Sequence, residues 1–464
     1  MRRFEFLLVF AALFAVAWPA VFGVRTRRGI VFGALFVAFL IHWRAEGLRW
    51  QMIPLYVTAL ALAIGDVIVV ERKVDWTSRI ARGIFGVAGV ILAMVPALIL
   101  PVPQLPVPSG PEAIGTVTVE LVDNERQEIY GGNPGGPRRL PIQVWYPAEA
   151  EETATPTPWA EDWELVAPAM ADLAGFPSFF LDQTRYTTSH AGAGLQVSPG
   201  TFPVVVYSHG WTGFRGIAVN QIETLVSHGY IVIAPDHTYG ASVTRLADGE
   251  VVPYFPAALP EEDDVEAEVY AEASRTLLDV YAADLVSILN ALEMGEQGPF
   301  GALASSADLT RIGLFGHTAG GGAAVQVCLQ DERCDAVLGL DPWVEPMSDE
   351  TIALEATRPA LFMRSDEWRD TENDAVLRGI SERSAGVTYW IGVDGTNEND
   401  FLVVPLLSPI TSEVGVTGPI AAGRILPIID RYLLGFFDVF LLETGSAALD
   451  TASFEEVTVE IIRR

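Results

Sequence analysis

The residues with the clearest chemical potential lie in the stretch RIGLFGHTAGGGAA, residues 311–324. An apolar run, a glycine-rich turn and a helical pattern follow one another, which predicts a strand that turns sharply into a helix. In such a turn the central residue of G-x-S-x-G carries a nucleophilic hydroxyl, and the first helical N–H groups face the reacting oxygen. Here the centre is Thr318, between Gly316 and Gly320. The stretch therefore predicts an acyl-transfer site with threonine at the nucleophile position.

A second glycine turn carries the other half of such a site. The stretch VVVYSHGWTGFRG, residues 204–216, reads as an apolar strand that ends at His209 and Gly210. A glycine at this place leaves backbone N–H groups free to bind an oxyanion, although it also simply permits a turn. Together with the first turn, the oxyanion interpretation is favoured, and the candidate donors are the N–H groups of Trp211 and Ala319.

The elements that must position these residues alternate between apolar strands and helical patterns. Continuous apolar runs such as PVVVYS are typical of strands in a parallel sheet with helices on both faces. In such sheets the active residues lie at the carboxyl ends of the strands. The candidate strands are residues 116–122, 140–146, 203–208, 231–234, 311–315, 336–340, 360–363 and 387–391. The candidate helices are residues 219–227, 272–292, 323–329 and 425–442.

Two segments interrupt this alternation. Residues 153–198 are rich in Pro, Trp and Phe, and residues 247–268 contain the acidic run EEDD. The acidic run indicates a solvated loop. The first segment is either a surface loop or a lid with an apolar underside. That underside would consist of Trp159, Trp163, Phe176, Phe179 and Phe180.

The first 102 residues have a different character, with apolar runs at residues 4–24, 29–43, 52–70 and 83–100. A helix needs about 20 apolar residues to span a bilayer. The second run is short and is either a tilted span or a re-entrant segment. The sequence thus predicts about four transmembrane helices in residues 1–102, a Pro-rich linker at 103–114 and a globular domain at 115–464. Asp66, within the third run, is either functional or an interfacial structural residue.

Basic residues in the short loops predict the orientation. The loops 25–28 and 71–82 contain seven basic residues on one side, against four on the other: Arg2, Arg3, Arg44 and Arg49. The globular domain is therefore expected outside the cytoplasm in a multi-pass membrane protein.

Charge excludes one class of partner. The first 102 residues carry 11 basic and 5 acidic side chains, so the net charge of −30 divides into +6 and −36. A surface this acidic repels phosphates, which excludes nucleic acid as a partner. The two cysteines, Cys328 and Cys334, either pair in an exported domain or are free buried thiols, and two cysteines predict no metal site.

Six blocks of sequence resemble one family. They are RRLPIQVWYPAE, FPVVVYSHGWTGFRG, LVSHGYIVIAPDHTYGAS, RIGLFGHTAGG, AVLGLDPW and GTNENDF. In this order and spacing they are similar to the platelet-activating-factor acetylhydrolases and their bacterial lipase and esterase relatives. The resemblance covers residue 115 to the C-terminus and leaves the apolar region aside. It implies an α/β-hydrolase fold and hydrolysis of lipid acyl esters without a metal or other cofactor.

The resemblance also implies three catalytic positions. The nucleophilic serine of the family falls on Thr318, and the aspartate falls on Asp341 in LDPW. The histidine, expected in the pattern G-T-x-H-x-D-F, falls on Glu398. All six histidines precede Thr318, whereas the fold orders its triad as nucleophile, acid and histidine. His209, His237 and His317 are expected to be structural; Asp366 and Glu367 are alternative acids.

Two hypotheses of different classes follow. The first is a membrane-anchored carboxylic-ester hydrolase that uses Thr318 as an unusual nucleophile. The second is an inactive pseudohydrolase that binds an acyl or lipid ligand, or a protein partner. The second gains weight because glutamate is a weak base unless its pKa is raised, and two carboxylates do not reproduce an imidazolium–carboxylate pair. A third alternative makes the apolar region the functional part and the globular domain its sensor.

Overall fold

The computed structural model of the protein describes residues 1–22, 29–68, 75–131, 134–151, 153–444, 449 and 452–463, apart from the side chains of residues 66–68. Several sequence-based predictions fall outside these residues, namely those for the loop 25–28, for two of the four basic residues of the loop 71–82 and for the Asp66 side chain. The chain forms two compact units. The helical unit contains Met1–Pro103, Ser178–Thr187 and Leu407–Ile410, and the α/β unit contains the rest.

Four helices form the core of the helical unit. They are α1 (Arg3–Phe22), α2 (Ile30–Glu46), α3 (Ile53–Ile68) and α4 (Trp76–Ile99). Among the described residues, only α1 and α4 are long and apolar enough to cross a bilayer. The seventeen residues of α2 span about 26 Å at 1.5 Å per residue, which is less than a hydrocarbon core of about 30 Å. The structure thus offers two candidate spans where the sequence predicts about four.

The outer surface of these helices is apolar. Phe10 of α1 is 64% exposed, and Phe85 and Leu92 of α4 are 77% and 72% exposed. A helix with an apolar outer face and an apolar interior face is stable in lipid, whereas in water its large exposed side chains favour association.

Charged side chains lie inside the helical unit instead. Arg49 donates from Nε to Glu5 Oε1 at 2.7 Å and from Nη1 to the Leu100 carbonyl at 2.6 Å. Ligand atoms of Glu5, His42 and Glu46 lie within 4.8 Å of one another, a geometry that suits a cation. However, Arg49 already occupies both oxygens of Glu5, and Glu46 accepts from the His42 ring and from backbone N–H groups. The cluster is therefore an internal ion-pair network.

The segment Ser178–Thr187 belongs to the helical unit through polar and aromatic contacts. Gln183 is fully buried and accepts from Gln51 Nε2 at 2.5 Å, and Tyr186 donates its hydroxyl to the Leu48 carbonyl at 2.7 Å. The Trp50 ring meets Phe179 edge to face. No sequence pattern predicts this association, because it joins residues more than one hundred positions apart.

The described residues of the α/β unit form the strands β1 (Ala113–Gln127), β2 (Pro137–Ala148), β3 (Pro156–Pro158), β4 (Thr188–Ala193), β5 (Phe202–Ser208), β6 (Ile231–Pro235), β7 (Val243–Arg245), β8 (Val251–Pro253), β9 (Ala307–His317), β10 (Ala336–Leu340), β11 (Ala360–Arg364), β12 (Thr388–Val393) and β13 (Val457–Ile462). Eleven of these strands form a central sheet in the order β13-β12-β11-β10-β9-β5-β6-β2-β1-β4-β3. Neighbouring strands from β6 to β12 in this order run parallel, whereas β2 and β13 are antiparallel to their neighbours. A small separate sheet pairs β7 with β8.

Helices cover both faces of the sheet. On one face, Leu278 of the long helix α7 and Ala323 of α8 share a buried cluster with Val204 and Val206 of β5. The central strands are buried on both faces, which explains their uninterrupted apolar sequences. The helices of this unit are α5 (Trp163–Leu173), α6 (Val219–Ser227), α7 (Ala267–Glu293), α8 (Thr318–Gln330), α9 (Asp349–Ile352), α10 (Glu372–Arg383) and α11 (Ala422–Phe440).

Part of the first interrupting segment joins the sheet. Within residues 153–198, β4 pairs parallel with β1, and β3 pairs with β4 at the edge. Trp159 is 3% exposed and packs against Phe214, whereas Phe176 and Phe179 are exposed. The lid stays a prediction, and only its exposed members are available to cover a ligand.

The two cysteines form a disulfide. Cys328 in the last turns of α8 bonds to Cys334, which precedes β10. The alternative of two free thiols is therefore excluded. Disulfides persist in oxidising compartments, which agrees with a domain outside the cytoplasm.

Candidate active site

The predicted turn joins β9 directly to α8. Thr318 has a φ of 44°, in the left-handed region that a β-branched residue seldom adopts. The flanking glycines allow it: a β-carbon on Gly316 would lie 2.4 Å from the Gly320 carbonyl oxygen, and one on Gly320 would lie 2.2 Å from the Ser208 oxygen. The scaffold thus holds Thr318 in a strained conformation, half-buried at the carboxyl end of the sheet.

The extra methyl group of Thr318 has a defined place. A β-carbon on Gly210 would lie 2.0 Å from Thr318 Cγ2, so the methyl fills the space beside this glycine. A serine at position 318 lacks this methyl and would leave that space open. The threonine is therefore accommodated because position 210 is glycine, at the turn predicted to bind an oxyanion.

The turn after β5 is fixed by a histidine in a defined tautomer. His209 Nε2 accepts from the His237 backbone N–H at 3.1 Å, so its Nδ1 carries the proton and donates to the Gly210 carbonyl at 2.7 Å. Burial holds the pKa of His209 well below its usual value. Thr212 N–H donates to the Gly240 carbonyl, whereas Trp211 N–H has no such acceptor among the described residues. The geometry leaves the predicted donor Trp211 available.

Asp341 is fully buried at the end of β10, with a φ of 43°. Its Oδ1 accepts from the Ser365 N–H at 2.9 Å and lies 3.4 Å from Arg364 Nε. Its Oδ2 is buried without a hydrogen-bond partner in the described part of the chain. Burial raises the pKa of Asp341 to about 6, although the Arg364 charge acts in the opposite direction. One carboxyl oxygen of Asp341 is therefore able to accept a further hydrogen bond.

Glu398 begins a short 3-10 turn after β12, which Asn397 and Asp400 cap reciprocally. Burial raises the pKa of Glu398 to about 7, and the negative charges of Asp341 and Glu367 act in the same direction. The Glu398 carbonyl accepts from His317 Nε2 at 2.9 Å. Since like charges disfavour double ionisation, the Asp341 charge favours the neutral form of Glu398.

The three predicted triad positions therefore meet at one edge of the sheet. Thr318 lies at the end of β9, and its carbonyl accepts from the Trp343 N–H at 3.0 Å, two residues after Asp341. His317 links the same turn to Glu398. Burial lowers the pKa of His317 to about 4, so its ring is a neutral hydrogen-bond donor. Thr318, Asp341 and the backbone of Glu398 are thus brought to one place, and the catalytic roles that the resemblance assigns to them stay predictions.

The alternative acids have structural partners. Asp366 accepts from the Gly395 N–H at 2.6 Å and pairs with Arg369. Glu367 accepts from the Glu398 N–H at 3.2 Å. Both carboxylates support the Glu398 loop, and neither supplies a base.

A complete Ser–His–Asp chain occurs elsewhere, and sequence analysis does not predict it. Ser208 donates its hydroxyl to His237 Nε2 at 2.8 Å, and His237 Nδ1 donates to Asp284 Oδ2 at 2.9 Å. Arg138 binds both oxygens of Asp284, at 3.0 and 2.6 Å. Ser208, His237 and Asp284 are all fully buried. The one signal in the sequence is the position of Asp284 on the apolar face of α7, where a carboxylate needs buried partners.

Comparison with known proteins assigns a family to this architecture. The family Platelet-activating factor acetylhydrolase, isoform II, matches residues 110–253 and 271–439, more than half of the chain. A chicken (Gallus gallus) platelet-activating factor acetylhydrolase is 26% identical over 314 residues, which are 60% of this chain and 69% of the relative. A probable 1-alkyl-2-acetylglycerophosphocholine esterase of Arthroderma benhamiae is 26% identical over 281 residues, 55% of this chain and 62% of the relative.

A solved structure is similar to this chain in fold. A ferulic acid esterase from Streptomyces cinnamoneus superimposes with a TM-score of 0.62 at 26% identity, and the match covers 77% of this chain and 99% of the esterase. The predicted α/β-hydrolase fold with a mostly parallel sheet is confirmed. From the matched family, the sheet order and the strained turn at Thr318, we conclude that the chain belongs to the platelet-activating factor acetylhydrolase isoform II family.

Proposed function

We propose that the chain is a membrane-anchored pseudohydrolase that binds an acyl ester of lipid-like character at the Thr318 turn and does not turn it over at an enzymatic rate. The observation that carries this proposal is the position of Glu398: its carbonyl accepts from His317, next to Thr318, and the Asp341 charge contributes to the raised pKa of its carboxyl group. An active triad needs a neutral imidazole that takes a proton and then stabilises its charge against the aspartate. A carboxyl group, whether neutral or ionised, never becomes the cation that this step requires.

The binding half of the machinery supports a ligand with a carbonyl oxygen. The first N–H groups of α8 have no partner within the helix, and Ala319 is among them. Its N–H and that of Trp211 would together hold the ester oxygen. The relatives are esterases of lipid or small esters by name, so a lipid-like or small ester is the expected ligand class. A protein partner at the same site is the alternative occupant.

Anchoring rests on the helical unit. Its exposed apolar side chains need lipid around them, and α1 and α4 are long enough to span. We place the α/β unit outside the cytoplasm in a multi-pass arrangement. The basic loops predicted to face the cytoplasm and the Cys328–Cys334 disulfide support this orientation.

Slow hydrolysis is the second candidate function, and one observation favours it. Because the pKa of Glu398 is raised to about 7, a fraction of this group is a carboxylate of useful basicity near neutral pH. In that case Thr318 would attack the ester carbonyl, Glu398 would take the hydroxyl proton, and the oxyanion donors would hold the tetrahedral intermediate. The intermediate would then expel the alcohol, which takes the proton from Glu398. Water, which gives a proton to Glu398, would attack the acyl-threonine ester, and Glu398 would return that proton to the Thr318 oxygen as the carboxylic acid leaves.

An ester-hydrolysis assay separates the two candidates. The substrate is p-nitrophenyl butyrate, and the full chain is assayed in detergent micelles. Four proteins are compared: wild type, Thr318→Ser, Glu398→His and the double variant. We expect wild type near the background rate and a gain of about 100-fold or more in the double variant, because a positioned base contributes about 10²–10⁴ in rate.

The control variant is Thr318→Ala. Wild-type turnover that Thr318→Ala abolishes would establish threonine as a nucleophile and end the pseudohydrolase proposal. Turnover that survives Thr318→Ala would place the chemistry at another residue. The orientation of the α/β unit is tested separately by labelling a cysteine introduced after residue 115. If this cysteine is labelled only from the cytoplasmic side, the proposed orientation is wrong.

A further inference from the structure

Arg364 is the positive charge at the acid pair. It ends β11, is 1% exposed, and lies with Nε 3.4 Å from Asp341 Oδ1. Its Nη2 donates to the Trp368 carbonyl at 2.8 Å, and its guanidinium stacks on Trp390 with 5.2 Å to the ring centre. It also forms an ion pair with Asp374. These contacts fix the guanidinium in place beside Asp341.

Glu398 has no such partner among the described residues. The groups that face it are Asp341 at the end of β10, Glu367 and Trp368 in the loop after β11, and His317 at the elbow. Asp341 and Glu367 bring negative charge, the Trp368 side chain is a hydrogen-bond partner without charge, and the His317 ring is neutral. Two adjacent acids thus differ in one respect, since only Asp341 touches a cation.

We propose that Arg364 is a positioning residue that fixes Asp341 as the carboxylate of the pair and Glu398 as the neutral carboxylic acid. When like charges prevent both acids from ionising, the proton resides on the acid without a cationic partner. Glu398 is then a hydrogen-bond donor at the Thr318 turn and not a base. Its preferred ligand has an acceptor oxygen, such as an ester or carboxyl group.

This inference rests on the proposed function only for the location of the ligand. It also separates the two candidate functions, because a protonated Glu398 is unable to take the Thr318 proton. The charge states themselves are properties of the ligand-free chain, so they are measurable without any ester.

The test is a carbon-13 NMR titration of the full chain in detergent micelles, with glutamate labelled at the side-chain carboxyl. Glu398→Gln identifies the Glu398 signal by its loss. We expect this signal to titrate near neutral pH in wild type. In Arg364→Met its midpoint falls by about one pH unit or more, a tenfold loss of proton affinity, because the proton moves to Asp341. Arg364→Lys keeps the charge and the midpoint.

Arg369→Met is the matched control, since Arg369 pairs with Asp366 and Asp394 in the same region. It is expected to leave the midpoint unchanged. If Arg364→Met does not fold, Asp341→Asn replaces it and should also lower the midpoint by removing the like charge. A wild-type midpoint in the ordinary glutamate range, or one unchanged in both Arg364→Met and Asp341→Asn, overturns the inference. Absence of ester binding with an intact titration would contradict the proposed function alone.

Discussion

Asp284 and Asp341 are two fully buried carboxylates near the same sheet edge with opposite surroundings. Asp284 has a complete set of partners, with Arg138 and Arg126 on its oxygens and the Ser208–His237 chain beyond them. Asp341 has Arg364 near one oxygen and, among the described residues, no hydrogen-bond partner for the other, and its charge opposes ionisation of Glu398. Burial raises the pKa of both carboxyl groups. At Asp284 the contacts with Arg138 and His237 outweigh burial, and the pKa is depressed; at Asp341 the Arg364 charge does not outweigh burial, and the pKa is raised.

The contrast shows that the connectivity of a triad does not define an active site. The Ser208–His237–Asp284 chain has the hydrogen bonds of a hydrolase, yet it is sealed in the core and has no strained turn. Among the described residues, the Thr318 turn lacks such a chain, but it is strained and half-buried, and the Trp211 N–H beside it has no acceptor. The first arrangement stabilises the fold, and the second is the place at which we propose that a ligand binds.

The largest expected effect is on stability. Asp284→Asn leaves two arginines and a histidine without their carboxylate, which costs about 3–5 kcal/mol of the free energy of unfolding. Asp341→Asn should cost about 1 kcal/mol or less, because neutralisation removes an incompletely paired buried charge. Urea unfolding followed by tryptophan fluorescence measures both losses of stability. The control is Asp248→Asn at an exposed position, which should change the free energy of unfolding by no more than about 0.5 kcal/mol. If Asp284→Asn and Asp341→Asn reduced the free energy of unfolding equally, the proposed difference between the two carboxylates would be wrong.

A smaller effect is expected at the elbow. In Gly210→Ala the new methyl meets Thr318 Cγ2, and overpacking of this kind costs about 1–3 kcal/mol. Combined with Thr318→Ser, which removes that carbon, the same change should cost clearly less. A double-mutant cycle of unfolding free energies measures this coupling. Costs that simply add would show that the threonine methyl does not occupy the space beside Gly210.

An effect of similar size, seen only when the pH changes, is expected from Glu398. Its pKa of about 7 in the folded chain exceeds the ordinary 4.5, so between these values the folded chain holds a proton that the unfolded chain loses. The stabilisation of the folded chain by this proton is fully present below pH 4.5 and is lost as the pH rises through about 7. From pH 5 to 8 it amounts to on the order of 2 kcal/mol. Glu398→Gln should remove that slope, whereas the exposed Glu413→Gln should keep it; an unchanged slope in Glu398→Gln would contradict the assignment.

Sequence patterns predict the parts of this molecule that local rules govern. The eight central strands and the turn at Thr318 follow from apolar runs and glycine spacing, which need no knowledge of distant residues. The edge strands β3 and β4 are short and contain Pro, Gly and polar residues, so no period identifies them. Helix α10 has a short amphipathic pattern that the acidic residues obscure.

The candidate site divides in the same way. Thr318, Asp341 and Glu398 are predicted because a family resemblance places them, and the histidine count needs only the sequence. Arg364 and Asp284 are not predicted, because their importance arises from partners 23 and 47 or more positions away. Buried charge networks depend on which side chains the fold brings together, and that information is absent from any local window.

The segment Ser178–Thr187 has a practical consequence for protein production. Gln183 and Thr184 are buried, Gln51 donates to the Gln183 side chain, and the Leu48 carbonyl accepts from the nearby Tyr186 hydroxyl. A shortened chain that begins after residue 102 would deprive Gln183 of its amide partner and expose Phe180 next to Phe179. Such a fragment is expected to aggregate, so purification of the intact polypeptide in detergent is the sounder route to crystals and assays.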